Sequence, residues 1–210
     1  MRRIITIQHT QSLQHTNGMI GSWRDWDLTG TGVEQAHCIG RRLSGEIQNE
    51  RYTLYSSDLL RAGHTADIVA AYTGTVPIRT GLLREFNLGE AVGRSKVWAR
   101  ANAVCAVRPG TIDQAADIDG RPFTGAESQR DVWRRLSDFY TQYIAVNDDD
   151  LILVSHDGTL SIFFALWLGM EVEMLNHCRF SGCASGVSFL YEDSARCRGI
   201  SRLNDLSYLR

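Results

Sequence analysis

The sequence has no excess of positive charge, no apolar run long enough to cross a bilayer, no paired cysteine motif and no internal repeat. Its 22 Lys and Arg stand against 24 Asp and Glu, a formal net charge of −2, so there is no electrostatic reason to expect nucleic acid or an anionic membrane as a partner. Any anion must be met locally. The first apolar run is only Ile4 to Ile7 with a Thr inside it, far short of a signal-peptide core, and no later segment could span a membrane. A cytoplasmic protein is expected. The five cysteines, Cys38, Cys105, Cys178, Cys183 and Cys197, are odd in number and scattered, which suits reduced thiols better than a disulfide framework. His177, Cys178 and Cys183 lie close together, but without CxxC spacing they do not make a metal site, and no metal is expected.

What is present is enough for one sizeable core: 210 residues, 43% hydrophobic and 22% charged, read as a single domain over 1–210. Arg3 to Ile7 reads as a strand, and Thr31-Gly-Val-Glu34 as a capping box opening a helix whose apolar stripe is Val33, Ala36, Ile39 and Leu43. Tyr52 to Tyr55 and a helix carrying Leu59, Ala62, Ala66 and Val69 repeat the pattern, and Val76 to Arg79 suits a third strand. Residues 89–124 lose periodicity and read as an inserted flap, functional or mobile. Within it Arg94, Lys96, Trp98 and Arg100 could close over a substrate or form an ordinary solvated face. Thr124-Gly-Ala-Glu127 suggests another capping box before a helix buried through Val132, Leu136, Phe139, Tyr143 and Ile144.

Leu151-Ile-Leu-Val154 is a short, wholly apolar run, the signature of a strand buried on both faces of a parallel sheet, and an apolar helix, Leu160 to Leu168, follows it. Gly186 to Tyr191 and Gly199 to Leu203 complete the strands. Alternating strands and helices of this kind predict a three-layer α/β/α sandwich with a mostly parallel central sheet. His9 and His156 each follow a buried strand and lead into a helical segment, at the carboxyl edge where such sheets bind ligands. Arg61 lies one turn into the helix after another strand, where its planar fork could meet phosphate oxygens. Taken singly, each has a bland reading as a structural histidine or a surface charge.

Together these residues carry a resemblance. "IQHTQSLQHTNGMIGSWRDWDLTGTGVEQA", "YSSDLLRAGHTADIV", "LREFNLGE", "GAESQRDVWRRL" and "LILVSHDGT" resemble, in order and over nearly the whole chain, the five signatures of the histidine phosphatase superfamily, the phosphoglycerate mutase-like family. The resemblance implies that fold and a small phosphorylated substrate, with no metal or organic cofactor. It implies His9 as the nucleophile that becomes a phosphohistidine, His156 and Arg61 as phosphoryl-binding residues, and Glu85 as the acid that protonates the leaving oxygen. Asp157 is an alternative proton donor, because acid-phosphatase members use an aspartate directly after the second histidine.

The sequence departs from the family at Gln8 and Thr10, where Gln-His-Thr replaces Arg-His-Gly, and at His15, where the family has a phosphate-contacting Asn. Losing a cationic donor at position 8 would remove roughly 2 to 4 kcal/mol of transition-state stabilisation. His15 could face solvent, or as a protonated imidazole it could return that charge while the Gln8 amide keeps a donor; the complementarity of the two changes favours the second. Met19 stands where family mutases carry a substrate-binding arginine, and Gly21 and Ser22 also differ. Hydrolysis of a phosphomonoester is therefore expected, with a phosphoglycerate-type mutase or a weakly active phosphate- or protein-binding member as the alternatives.

Overall fold

Alternation along the central strands sets the layers. The computed structural model describes residues 1–47, 50–109, 111, 114–146 and 148–209. In β1 (Arg2–Gln8), Ile5 and Ile7 face one side of the sheet and Ile4 the other. In β4 (Asp150–Ser155), Leu151 and Leu153 alternate with Ile152 and Val154 in the same way, and all four are essentially inaccessible. Such strands must be covered on both faces. Helices α2 (Gly30–Glu46) and α3 (Leu60–Thr73) cover one through Ile39, Leu43, Ala66 and Val69. Helices α5 (Gln129–Phe139) and α6 (Asp157–Trp167) cover the other through Leu136, Phe139, Phe163 and Trp167.

The sheet has the order β3-β2-β4-β1-β5-β6, with β2 (Tyr52–Ser57), β3 (Ile78–Thr80), β5 (Val187–Glu192) and β6 (Arg198–Asp205) completing it. The first four strands in that order are parallel, β5 pairs antiparallel with β1, and β6 pairs antiparallel with β5. This is the expected three-layer α/β/α architecture. One consequence positions the site: the carboxyl ends of β1, β2, β3 and β4 share an edge, and the chain entering antiparallel β5 returns to that edge, where Gln8 N donates to Gly186 O at 3.0 Å.

Two helix starts differ from expectation, both because a tertiary contact selects the cap. Helix α2 is capped by Thr29, not Thr31: its Oγ1 accepts the Gly32 N–H at 3.0 Å and donates to Gln11 Oε1 at 2.7 Å, tying the cap to the loop after β1. Helix α5 starts at a reciprocal Ser128–Asp131 box. Glu127 is instead taken by Asn87 N at 2.7 Å and by Arg135 at 3.0 Å, and Gly125 has φ +74°, outside helical geometry.

The excursion is seated on the body. It holds α4 (Lys96–Asn102), capped by Ser95, and buries Ala91, Ala99, Ile118 and Phe123. Isolated bridges join Ser95 to Met19 and Leu88 to Ala126. Its residues 110, 112 and 113 lie outside the described residues. No helix among the described residues is long and apolar enough to cross a membrane, and all five cysteines are free thiols.

Candidate active site

His9 directly follows β1 and is 2% exposed. Its Nδ1 lies 2.8 Å from the Thr10 carbonyl, which can only accept, so Nδ1 carries the hydrogen and Nε2 keeps its lone pair. Arg61 Nε donates to that Nε2 at 3.1 Å. Burial first, then the positive field of Arg61 and the neighbouring His15, hold the His9 pKa well below the ordinary histidine value. The ring is therefore neutral at pH 7. The Thr10 amide donates to Thr65 Oγ1 at 3.2 Å and the two hydroxyls lie 3.3 Å apart, which fixes the carbonyl that orients His9.

Arg61 is fully buried in the first turn of α3. Besides His9 it donates through Nη1 to Arg24 O at 3.2 Å and through Nη2 to Ser22 O at 2.9 Å. Ser22, at φ +45°, turns its carbonyl inward, and its Oγ is pinned by donating to Phe86 O at 2.6 Å and accepting from Leu88 N at 2.9 Å. Burial lowers the Arg61 pKa to about 10, against the opposing pull of Glu85 and Asp25, so it remains charged at neutral pH.

His156 follows β4, is fully buried, and sets its ring 5.0 Å from His9 at 64°. Its Nε2 is 2.9 Å from Ser57 Oγ, which already accepts the Leu59 N–H at 3.3 Å and so has its own hydrogen free to donate. When the Ser57 hydroxyl donates to Nε2, the imidazole hydrogen sits on Nδ1, a buried atom with no partner among the described residues. An orphaned N–H beside a nucleophile fits a phosphoryl oxygen. Burial, then Arg61 and His9, also hold His156 well below its ordinary pKa.

Glu85 comes from the loop after β3 and lines the pocket. Its Oε1 accepts the Phe86 N–H at 3.0 Å and the Thr159 hydroxyl at 3.3 Å, and its Oε2 accepts the Gly158 N–H at 3.3 Å. Gly158 is required here, since a Cβ would stand 2.8 Å from Glu85 Oε1 and 2.9 Å from the Phe86 ring. Asp157 lies on the same wall, with Oδ1 accepting the Gly182 N–H at 2.7 Å and Oδ2 paired with Arg179 at 3.1 Å. Both of its oxygens are thus engaged with the loop before β5, whereas those of Glu85 are held by its own loop and the start of α6.

Gln8, His9, His15, Glu85 and Asp157 line one pocket of about 610 Å³, with Lys96, Arg100 and Arg179 on its wall. Lys96 and Arg100 thus reach the pocket, whereas Arg94 stacks on Trp98, and Trp98 packs against Phe123 in the body of the excursion. His15 stacks on His9 at 5.4 Å and 9°, but the expected charge is not there. Its Nδ1 accepts the Ser12 N–H at 3.0 Å, a bond that protonation would break. Desolvation, with Arg61 and Lys96, lowers its pKa to about 4. Even a far smaller shift would leave it neutral at pH 7, because an ordinary histidine is already mostly neutral there. What His15 offers is an Nε2–H donor.

Three depressed histidines give the fold a pH dependence. In the unfolded chain they bind protons near pH 6.5, and in the folded chain they do so only at lower pH. The unfolded state therefore carries more protons, and stability, full above about pH 6.5, falls as the pH drops below it. His9 and His156 should each add a slope approaching about 1.4 kcal/mol per pH unit in that window. Urea unfolding between pH 8 and pH 5 measures it. A His156→Asn variant should show a shallower slope than the parent chain, and an equal slope would contradict the assignment.

Arg179 and the carbonyls of Ser22 and Arg24 were not anticipated from sequence. Arg179 sits in an aperiodic loop, and a backbone acceptor leaves no side-chain signature.

Residues 4–204 match the model of the histidine phosphatase superfamily (branch 1). The chain is 34% identical to a 2,3-bisphosphoglycerate-dependent phosphoglycerate mutase of Nitrobacter hamburgensis, over 97% of each chain. It is 26% identical to a putative phosphoserine phosphatase 2 of Hydrogenobacter thermophilus, over 83% of each. Among solved structures, a mycobacterial glucosyl-3-phosphoglycerate phosphatase in complex with VO3 superposes with a TM-score of 0.81 at 24% identity, covering 97% of this chain and 99% of that one. With the fold, the strand-edge histidines and a family match spanning nearly all its length, the chain belongs to branch 1 of the histidine phosphatase superfamily.

Proposed function

We propose that the protein is a phosphomonoesterase that hydrolyses small phosphorylated metabolites through a phosphohistidine at His9. The observation that carries this reading is the His9 ring: buried, neutral, with Nδ1–H held by Thr10 O and the Nε2 lone pair beside a charged guanidinium. Nε2 attacks phosphorus, the ester P–O bond breaks, and Glu85 gives its proton to the leaving oxygen. Water then attacks the phosphohistidine, returns its proton to Glu85 and releases phosphate. Arg61, the His156 Nδ1–H, the His15 Nε2–H and the Gln8 amide receive the phosphoryl oxygens, the positioned-donor role that phosphoryl transfer asks of a protein. The Gln-His-Thr variant supports this reading, because Thr10 is absorbed by Thr65 and its carbonyl still orients the nucleophile.

Phosphatase names among the relatives support water as the acceptor, and so does Met19, an apolar residue on the pocket wall. Lys96 and Arg100 favour the mutase alternative, since they could hold a second anionic group. Release of inorganic phosphate from a panel of metabolite phosphates, against migration of the phosphoryl group within a phosphoglycerate, decides between the two. No release from any substrate, aryl phosphates included, would leave only a binding role.

Leaving-group chemistry tests the proton donor. Glu85→Gln should lower kcat for alkyl phosphates by about 100- to 10,000-fold and for p-nitrophenyl phosphate by far less, because p-nitrophenolate departs without a proton. If Asp157→Asn gives that contrast and Glu85→Gln does not, the proton comes from Asp157.

A further inference from the structure

The pocket must meet a phosphoryl dianion with few charges. Three N–H groups of Arg61 are committed to His9, Arg24 and Ser22, and His9, His15 and His156 are neutral at pH 7. Among the described residues, the other cations on the pocket wall are Lys96, Arg100 and Arg179. Lys96 and Arg100 belong to α4, in the excursion. Arg179 alone is tethered to the catalytic edge of the sheet, through Asp157, the residue directly after His156.

Its environment is built. The side chain is 28% exposed, Nη2 lies 3.1 Å from Asp157 Oδ2, and Nε is buried without a hydrogen-bond partner among the described residues. A buried, unpaired guanidinium N–H is costly unless it acquires an acceptor. The loop that carries Arg179 also closes on Gln8: a Cβ at Gly182 would stand 2.8 Å from Gln8 Oε1 and 3.2 Å from Asp157 Oδ1. A larger residue there would push the Gln8 amide aside. Arg179, Asp157 and Gln8 thus form one cluster beside the nucleophile, at the position where an uncharged amide stands.

We propose that Arg179, aimed by Asp157, is a phosphoryl-binding residue that supplies from the loop before β5 the positive charge that position 8 lacks. Asp157 is then a positioning residue. This assignment rests on the phosphoryl-transfer reading of the pocket. An arginine meets phosphate through a planar fork of donors, so charge and geometry arrive together. Charge alone at that place should serve less well.

The test uses inorganic phosphate and orthovanadate as probes, with binding read by calorimetry and turnover by p-nitrophenyl phosphate hydrolysis. Arg179→Gln should weaken orthovanadate binding at least about 30-fold and lower kcat/KM about 100-fold, within the span seen for loss of one transition-state donor. Gln8→Arg in the Arg179→Gln background should restore binding to within about threefold of the parent, a rescue that a merely structural role would not give. Arg179→Lys keeps the charge and the tether and serves if the Gln variant does not fold; a loss of about fivefold or more supports the proposal and none overturns it. Asp157→Asn should weaken orthovanadate binding and lower kcat/KM equally for aryl and alkyl phosphates, whereas a loss of turnover confined to alkyl phosphates, with orthovanadate binding unchanged, assigns it to proton transfer and overturns its positioning role. A folded Arg179→Gln variant that binds orthovanadate within threefold of the parent, or a double variant without rescue, refutes the proposal. Because binding is read without turnover, a protein that never labels His9 yet loses orthovanadate affinity in Arg179→Gln keeps this inference and discards the phosphohistidine.

Discussion

Replacing His9 by alanine should lower kcat by roughly four to six orders of magnitude and abolish any covalent phosphoenzyme. Removing a nucleophile from a preorganised site leaves only the residual catalysis of the binding groups around it, which sets the size of the loss. The choice of His9 over His156 rests on its fixed tautomer. The Thr10 carbonyl can only accept, so it places the His9 hydrogen on Nδ1 and leaves Nε2 without one, whereas His156 faces a hydroxyl that can donate or accept and so fixes no such nitrogen. A nitrogen that bears a hydrogen cannot attack phosphorus. Rapid quench of the parent protein with a labelled phosphomonoester should give acid-labile label on the peptide containing His9. Label on His156, or brisk turnover by His9→Ala, would reverse the two roles.

Arg61→Met should be the most damaging change to stability and activity together. The guanidinium is wholly enclosed, and its loss leaves the Ser22 carbonyl and His9 Nε2 without that donor, while the Arg24 carbonyl keeps only the Trp26 N–H at 3.1 Å. Leaving a buried acceptor unpaired costs about 1 to 3 kcal/mol. Methionine relieves the desolvation of a buried charge, which offsets part of that loss. Two orphaned acceptors outweigh one relieved cation, so a net destabilisation of about 2 kcal/mol is expected, or roughly 6 °C in Tm for a chain of this size. Activity should fall about 1,000-fold or more, since the cation bonded to the nucleophile is gone. Urea unfolding and steady-state kinetics on the same preparation measure both, and a variant with an unchanged urea midpoint would show that Arg61 is not the keystone of the 22–24 segment.

The parts of this molecule that were legible in the sequence are those whose cause is local. Leu151-Ile-Leu-Val154 could be assigned to a central strand because burial on both faces leaves no polar position, and His9 and His156 could be placed because each ends such a run. The caps were misjudged where two local candidates competed. Thr29 prevailed over Thr31 through its bond to Gln11, and Ser128 replaced Thr124 once Glu127 was drawn away by Asn87 and Arg135. The charge of His15 was misjudged for the same kind of reason, because burial first, then Arg61 and Lys96, depress its pKa, and its Nδ1 is taken by the Ser12 amide, surroundings that spacing does not reveal. Arg179 was invisible, since only the fold brings the loop before β5 back to the end of β1.

The hydrogen bond from Arg61 to His9 also bears on what the protein leaves alone. An imidazole whose lone pair already accepts an N–H is a sluggish partner for any electrophile that drifts in, so the resting protein carries its reactive nitrogen sheathed. Unsheathing needs a ligand able to draw the guanidinium away, and a dianion does that where the single, weakly polarised oxygen of a carboxylic ester does not. The same contact that readies the nucleophile therefore acts as a chemical filter: acylating and alkylating agents meet a closed nitrogen, and the group that opens it is the group it is built to attack.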